Sequence, residues 1–362
     1  MDTQYYRGCL LGLAIGDAMG YTVEDKSWDE IQTEYGPEGL LGFDLKEEEF
    51  APVTSHTQVA AFLCNGLLLS LTRGRGEYMR WSKLALKEWV RTQQFSRESE
   101  SGYCFLGKLP QFRRRNCRDI RMLDNHRLEF YGSMTQRKNM NNTPGAITAG
   151  IAAGMLYRPG RISPEGVGEL AGELIALTHG HPETFLSGVV LSYVIVGVLG
   201  GADLLQSLNQ AIAMTETRYA EQFPKVEMLT MKLRQAIDLA HNHALSPLQA
   251  MEQIGCGDTA ECLAGAIYAC LVNPKDFDSA ITTAVNHSGT SAAVGAIAGA
   301  IMGAQLGEDA LPEFYLESLE CADVLRVLAQ DMAAGTPALG IFDDSWDHKY
   351  GQGLPPENES NY

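Results

Sequence analysis

Basic residues are scarce in this sequence. Lys and Arg number 28 against 45 Asp and Glu in 362 residues, so the formal net charge is -17. A chain with this balance repels the phosphates of nucleic acids and the anionic surface of lipid bilayers over most of its area. The composition therefore argues against nucleic acids and membrane surfaces as partners.

Long hydrophobic runs are also missing. The best apolar stretch, FLSGVVLSYVIVGVLG at 185–200, contains two serines and is shorter than the ~20 residues needed to span a bilayer. The first residues, MDTQYYRGCL, lack the basic start and the apolar middle of a secretory signal. We expect no membrane span and a location in the cytoplasm.

Cysteine pairs of the CxxC type are absent. Eight cysteines are present, and most lie among apolar residues, as in VAAFLCNGLL and IYACLV. Disulfide frameworks and structural zinc sites usually show regularly spaced cysteine pairs. These residues are therefore predicted to be reduced thiols in a hydrophobic core.

The sequence has no convincing strand pattern, whereas helical periodicity is widespread. Apolar side chains recur every three or four residues at 55–71 and in later segments up to 317–330. No Gly/Ser-rich or Pro-rich linker interrupts these patterns. We predict an all-α chain, with one compact helical domain at 1–340 and a loosely held polar tail at 341–362.

Three glycines recur at a helical spacing near the C-terminus. Gly295, Gly299 and Gly303 lie four residues apart in the segment 292–304. This spacing places them on one helix face, where a second backbone can approach closely because no side chain intervenes. We expect a tight helix–helix contact along this face.

One region is basic within this acidic chain. Residues 108–138 contain nine Lys and Arg and only three acidic residues, Asp119, Asp124 and Glu129. A solvated loop and helix face would account for this composition. A site for phosphates or for an acidic protein partner is the alternative interpretation.

Two carboxylates lie in a glycine-containing segment near the N-terminus. In GDAMGYTVE, at 16–24, glycines flank Asp17, and Glu24 follows. Two carboxylates beside one cleft can share acid and base work. Asp17 could equally be a helix cap or a hydrogen-bonded structural carboxylate. Both residues are therefore candidates for catalysis, and the structural alternative stays open for Asp17.

Four segments together resemble the ADP-ribosylglycohydrolase family in order and approximate spacing. They are GDAMGYTVE at 16–24, TSHTQ at 54–58, THGHPE at 178–183 and AVNHSGTSAAVGAIAGA at 284–300. The resemblance covers roughly residues 5–335. It implies a compact all-α domain that cleaves the bond between ADP-ribose and an acceptor side chain, such as arginine or serine, with two Mg²⁺ ions.

The resemblance also implies where the metal ions bind, and there this sequence departs from the family. The family pattern at 54–58 is Thr-Asp-Asp-Thr-Gln, but Ser55 and His56 replace the two aspartates. The second family pattern, AVNLGGDTDTVGAIAGA, has aspartates where Thr290 and Ala292 stand. Because Mg²⁺ needs oxygen ligands and usually carboxylate charge, we expect no bound metal and no other cofactor.

His56 could instead recruit a softer ion. The resemblance places His287 at the edge of the second stretch, so that two imidazoles could bind Zn²⁺, although a third ligand is not apparent. A neutral His56, hydrogen-bonded to a nearby hydroxyl or backbone group, is the alternative. His179 and His181 of THGHPE suit the C-terminal end of a helix.

These observations predict a binding protein. It would recognise ADP-ribose, a related nucleotide, an ADP-ribosylated protein or another protein partner without Mg²⁺-dependent hydrolysis. The alternative is a metal-independent hydrolase of an N- or O-glycosidic bond, with Glu24 or Asp17 as acid or base and His56 assisting. The residues expected to contact the ligand are Thr54, Ser55, Gly132, Ser133, Gly145, Gly289 and Thr290.

Overall fold

The structure, a computed structural model, describes residues 2–46, 48–74, 76–94, 102–335 and 344–351. Within these ranges the chain forms α-helices and short helical turns and contains no β-strand, which confirms the all-α prediction. The first helices are α1 (Thr3–Val23), α2 (Trp28–Tyr35), α3 (Ser55–Leu69), α4 (Tyr78–Gln94), α5 (Ile120–Arg127), α6 (Ala149–Met155), α7 (Pro164–Ala176) and α8 (Pro182–Leu199). The later helices are α9 (Leu204–Tyr219), α10 (Lys225–Ala240), α11 (Pro247–Ile254), α12 (Thr259–Val272), α13 (Phe277–Val285), α14 (Ser291–Leu306), α15 (Glu313–Ser318), α16 (Ala322–Ala334) and α17 (Asp344–Trp346).

The helix α8 lies in the core and accounts for the long apolar stretch. Pro182 occupies its first turn, where a missing backbone N–H removes no intrahelical bond. By length and composition α8 could cross a membrane, but 83% of it is buried within the fold. It packs against α6, α7 and α9. A helix that is apolar on all sides is expected at such a central position.

The cysteines lie where the sequence predicts. All eight are free thiols, and seven of them are buried. Burial in apolar surroundings raises the pKa of these thiols, to about 12 for Cys64. They are therefore packing residues of low reactivity.

The helices α1 and α14 pack antiparallel along a row of glycines, which we call the glycine seam. Gly8, Gly12 and Gly16 of α1 face, in this order, Gly303, Gly299 and Gly295 of α14. A Cβ atom added to Gly12 would lie 2.1 Å from the carbonyl oxygen of Gly299, so no side chain fits there. The expected tight contact of α14 is present, and its partner is α1. The seam sets the C-terminal end of α1 against the N-terminal end of α14.

The short helix α12 starts with a capping box. Asp258 accepts a hydrogen bond from the N–H of Glu261 (2.9 Å), and the Glu261 carboxylate accepts one from the N–H of Asp258 (3.2 Å). The same carboxylate accepts a bond from the N–H of Gly257 (3.0 Å). These bonds satisfy donors at the helix start and fix the backbone of Gly257.

Part of the predicted tail is anchored to the helical body. In the described segment 344–351, Tyr350 is completely buried, and its hydroxyl donates to Asp331 (2.7 Å). Trp346 donates through Nε1 to Thr72 (3.1 Å). The two aromatic side chains therefore hold this segment against the helical body, while the domain boundary at 340 and the loosely held tail stay predictions. The remainder, 341–343 and 352–362, lies outside the described residues.

Candidate functional site

A cavity of about 510 Å³ opens where α1 ends and where α3, α5 and α14 begin. Both segments that the family resemblance relates to metal ligands contribute to its wall. The lining residues are Tyr21, Glu24, Thr54, Ser55, His56, Asn116, Arg118, Asp119, Ile120, Arg121, Thr143, Pro144, Gly145, Gly257, Thr290 and Ala292.

Asp17 holds the start of α3 from beneath. Its carboxylate accepts hydrogen bonds from the N–H and hydroxyl of Thr54 (2.8 and 2.6 Å). It accepts two more from the N–H and hydroxyl of Thr57 (3.1 and 2.6 Å). Four donors fill the lone-pair positions of a carboxylate, and Asp17 is fully buried outside the cavity lining. This geometry favours the structural alternative for Asp17, and its catalytic role stays a prediction.

Thr54, Ser55 and His56 form the first turn of α3 on the cavity wall. Thr54 caps the helix, accepting a bond from the N–H of His56 (3.2 Å). The carbonyl of His56 accepts a bond from the Thr148 hydroxyl (2.9 Å), which ties this turn to the start of α6. The segment TSHTQ therefore forms a rigid wall rather than a mobile loop.

The His56 ring lies at the cavity wall and has one unsatisfied nitrogen. Only 7% of its surface is exposed, and Nδ1 is buried without a hydrogen-bond partner among the described residues. Burial lowers the pKa of His56 below its ordinary value, although nearby Asp17 and Asp119 oppose this shift. The ring is therefore neutral near pH 7. A buried polar atom without a partner is unfavourable, so His56 is a candidate to bind a water molecule or a ligand group.

Glu24 reaches the cavity from the end of α1. Its Oε2 accepts a hydrogen bond from the N–H of Ala292 (2.7 Å), in the first turn of α14. Burial raises the pKa of Glu24 to about 7, with the Ala292 bond acting in the opposite direction. Near neutral pH this carboxyl group is present in both protonation states, which is the property of a general acid or base.

Asp119 is a cavity residue that the sequence reasoning counted only as part of the basic segment. It caps α5, accepting bonds from the N–H of Met122 (2.8 Å) and the hydroxyl of Thr143 (2.6 Å). His179 Nε2 lies 3.0 Å from its Oδ2. Burial opposes ionisation, but the bonds from His179 and Thr143 hold the pKa of Asp119 well below its ordinary range. The sequence signal was an aspartate directly before the helical run IRMLDNHR.

His179 supports Asp119 from behind the cavity wall. It is completely buried, and its Nδ1 lies 2.8 Å from the hydroxyl of Thr178. Both ring nitrogens thus have partners within the protein. This favours a structural role for the first histidine of THGHPE, which fixes the orientation of Asp119.

Part of the basic segment also faces the cavity. Arg118 pairs with Asp25 and lies over the ring of Tyr21, with 5.2 Å between the guanidinium carbon and the ring centroid. Arg121 is exposed at the cavity mouth and has no acidic partner among the described residues. Two guanidinium groups at one mouth provide donors that match phosphate oxygens.

The remaining predicted contact residues divide into two groups. Gly145 and Thr290 line the cavity, whereas Gly132, Ser133 and Gly289 do not. The N–H of Gly132 donates to the carbonyl of Leu177 (3.1 Å) and that of Ser133 to the carbonyl of Gln136 (3.1 Å). A Cβ atom on Gly289 would lie 2.5 Å from the carbonyl oxygen of Cys256. Contacts within the fold therefore account for these three residues without a role in ligand binding.

The side chains at the family's four aspartate positions carry no carboxylate group in this chain. Ser55, His56, Thr290 and Ala292 all line the cavity, but together they offer two hydroxyls, one imidazole and a methyl group. In the described parts of the chain, no group of three or more His, Cys, Asp or Glu side chains is arranged to hold a metal ion. These four side chains therefore supply none of the carboxylate charge that usually offsets the dehydration of Mg²⁺, and the absence of Mg²⁺ binding stays a prediction.

The zinc alternative also lacks its second ligand. His287 Nε2 lies 3.0 Å from the carbonyl oxygen of Ala284, and its Nδ1 accepts a bond from the N–H of Gly289 (2.9 Å). Burial lowers the pKa of His287 to about 4, so the ring is neutral and both nitrogens are occupied. It is not part of the cavity lining. His56 and His287 therefore do not form a metal pair.

Comparison with known proteins places this architecture in a family. The sequence model of the family described as ADP-ribosylglycohydrolase matches residues 2–340. A solved structure described as an ADP-ribosylglycohydrolase-related protein complex is similar with a TM-score of 0.62 and 20% identity, over 92% of this chain and 98% of that chain. At this identity the likeness shows a shared fold. No curated protein matches the chain. Because the family model spans nearly the whole sequence, the chain belongs to the ADP-ribosylglycohydrolase family.

Proposed function

We propose that this protein binds ADP-ribose or a related nucleotide, free or attached to a protein, and does not carry out Mg²⁺-dependent hydrolysis. One observation carries the proposal. The positions of the family's four metal-binding aspartates line one cavity, and the side chains there are hydroxyls, an imidazole and a methyl group. The cavity is retained while the groups that bind the ions are replaced.

The shape and chemistry of the cavity support a nucleotide as the ligand. Its volume of about 510 Å³ falls within the range typical of small-molecule sites. Arg118 and Arg121 suit a diphosphate, and the hydroxyls of Ser55, Thr143 and Thr290 suit the oxygens of a ribose. The buried Nδ1 of His56 offers one acceptor to a ligand hydroxyl.

Calorimetric titration tests this proposal directly. ADP-ribose, ADP and NAD are titrated into the protein, each with Mg²⁺ and with EDTA. We expect at least one of them to bind at one site per chain, with equal affinity under both conditions. Arg121→Glu should weaken binding by about tenfold because it replaces an attraction by a repulsion.

Arg161→Glu is the matched control, since Arg161 is exposed and does not line the cavity. This variant should bind like the wild-type protein. Failure of all three nucleotides to bind would refute the proposal. If binding required Mg²⁺, the proposal that this protein has no Mg²⁺-dependent chemistry would be refuted.

Metal-independent hydrolysis is the second candidate, and a specific pair of carboxyl groups favours it. Glu24, with a pKa of about 7, and Asp119, whose hydrogen bonds hold its pKa low, line the same cavity. Carboxyl groups whose pKa values are pushed apart are typical of acid and base roles in one site. In this version Asp119 replaces Asp17 as the second carboxylate, and His56 orients the substrate.

Turnover of an ADP-ribosylated arginine or serine peptide in EDTA tests this second candidate. General acid–base catalysis alone contributes ~10² to 10⁴-fold, so hydrolysis should be slow and should disappear in Glu24→Gln. Equal rates in the wild-type protein and in Glu24→Gln would exclude it. A cytoplasmic location completes the proposal, because free thiols at all eight cysteines suit a reducing compartment.

A further inference from the structure

The basic segment 108–138 divides into an inward and an outward half. In the inward half, Arg114 pairs with Glu320 (2.9 Å) and Glu48 (3.3 Å). Arg115 donates to the carbonyl of Gln94 (3.0 Å). The charge of Arg114 is therefore compensated within the fold, whereas Arg115 is tied to the backbone and remains exposed.

The outward half presents both apolar and basic side chains to solvent. Ten large hydrophobic side chains of the described residues are exposed, and four of them lie between residues 120 and 140. These are Ile120 (61%), Leu128 (67%), Phe130 (49%) and Met140 (58%). The exposed basic residues among them are Arg121, Arg127, Arg137 and Lys138. The two acidic residues of the stretch are paired, Asp124 with Arg127 (3.1 Å) and Glu129 with Lys87 (3.0 Å), so the stretch keeps an excess of positive charge. We call the exposed side of residues 120–140 the α5 face.

The two segments of the α5 face lie next to each other in the fold. Asn125 of α5 and Asn139 both donate to the carbonyl oxygen of Thr178, at 3.1 and 3.0 Å. The ammonium group of Lys138 lies 5.6 Å from the ring centroid of Phe130. These contacts hold α5 and the 128–140 segment side by side.

The α5 face also adjoins the cavity. Ile120 and Arg121, at the start of α5, line the cavity mouth and belong to the exposed surface as well. A protein bound to the α5 face would therefore lie beside a ligand bound in the cavity.

We infer that the α5 face docks an acidic protein surface that carries apolar side chains, and that the cavity receives a nucleotide attached to this partner. The inference rests on the proposed nucleotide site and names the form in which the nucleotide arrives. Charge decides the class of partner: the face is basic, whereas the whole chain carries -17. Nucleic acid is repelled by that overall charge, while an acidic protein with apolar groups matches both components of the face.

Fluorescence anisotropy with labelled peptides tests the inference. One peptide is rich in Glu and Leu around a central ADP-ribosylated arginine, a second has Lys in place of Glu, and a third is the unmodified acidic peptide. For the wild-type protein we expect the modified acidic peptide to bind about tenfold more tightly than the modified basic one and than free ADP-ribose. Equal affinity for the two modified peptides would overturn the inference.

A matched pair of double variants locates the effect. The first double variant, Lys138→Glu with Met140→Asp, alters the α5 face. The second, Lys275→Glu with Met231→Asp, alters an exposed lysine and an exposed methionine elsewhere. The two methionines are similarly exposed, Met140 by 58% and Met231 by 61%. The first should lose about tenfold in affinity for the modified acidic peptide, and the second should lose none. Both should bind free ADP-ribose as the wild-type protein does. Equal loss in both variants would contradict the inference.

The third peptide separates this inference from the proposed function. If no nucleotide binds, the proposed function fails. Binding of the unmodified acidic peptide at low salt then still tests whether the α5 face docks an acidic protein. Binding that is lost only in the α5-face variant supports docking. No binding to the wild-type protein refutes it. A single-stranded oligonucleotide that binds more tightly than the acidic peptide would also refute it.

Discussion

The glycine seam and the cavity at its end belong to the same two helices, yet they differ in what they keep of the family pattern. Along the seam, Gly295 and Gly299 match the family stretch and interlock with α1. One turn away, Thr290 and Ala292 stand where the family has aspartates. The seam serves packing and the cavity serves chemistry, so one can change while the other stays. Membership of a family therefore fixes this fold more firmly than its reaction.

The largest expected effect on stability comes from adding a single methyl group to the glycine seam. Gly12→Ala places a Cβ atom 2.1 Å from the Gly299 carbonyl oxygen, so the helices must separate. We expect a loss of roughly 3 kcal/mol or more in the free energy of unfolding. Urea denaturation followed by circular dichroism measures it. Gly42→Ala is the control, because a Cβ atom there meets no atom within 4 Å, and a similar loss in both variants would discredit the seam.

Asp17→Asn probes the boundary between packing and chemistry. The amide keeps the size of the carboxylate but presents an NH₂ group to donors from Thr54 and Thr57. We expect the protein to lose about 2–4 kcal/mol in the free energy of unfolding, because charged hydrogen bonds vanish and buried donors lose their partner. Thermal and urea unfolding check this. Wild-type stability with abolished turnover would instead mark Asp17 as catalytic.

Restoring the four aspartates should return the cavity to ion binding without touching the seam. The variant Ser55→Asp/His56→Asp/Thr290→Asp/Ala292→Asp should be less stable in EDTA, since four carboxylates repel one another. Mg²⁺ at a hundred times its dissociation constant should then stabilise it by about 2.7 kcal/mol. The wild-type protein should show no Mg²⁺-dependent change in Tm. If Mg²⁺ did not stabilise the variant, the geometry around the four positions would also differ from that of an ion-binding site.

The smallest expected effect is the pH dependence contributed by Glu24. Its pKa is about 7 in the folded protein and near 4.5 when unperturbed, so the folded state favours the protonated form. The associated stability is complete below about pH 4.5 and is lost as the pH rises through 7. Glu24→Gln should remove this decline, gaining roughly 1–2 kcal/mol at pH 8 relative to the wild-type protein.

Unfolding curves between pH 4 and pH 8 measure the difference. Glu221→Gln serves as the control, because Glu221 is exposed and its carboxylate has no hydrogen-bond or ion-pair partner among the described residues. Parallel pH profiles for the wild-type protein and Glu24→Gln would show that Glu24 ionises normally.

Helical periodicity and the family segments predicted the fold from sequence, because they depend on local spacing. The spacing of the glycines in α14 predicts a close helix–helix contact, but only the tertiary structure identifies α1 as the partner helix. Of the predicted site residues, Glu24, Thr54, Ser55, His56, Gly145 and Thr290 line the cavity, and their roles stay predictions. Asp119 also lines it, but the sequence does not indicate this, because its position depends on His179 and Thr143, which lie 60 and 24 residues away in the chain. Gly132, Ser133 and Gly289 lie outside the lining, and glycine-containing loops look alike in sequence whether they face a ligand or a neighbouring backbone.

The glycine seam has a consequence for motion. Backbones in such close contact resist separation, so we expect α1 and α14 to move together and to hold their side of the cavity in place. The opposite wall is held differently: α5 is attached through side chains, namely the buried Met122 and His126 and the hydrogen bonds of Asp119 and Asn125. Side-chain contacts rearrange at a lower cost than interlocked backbones, so any change in the width of the cavity is expected on the α5 side.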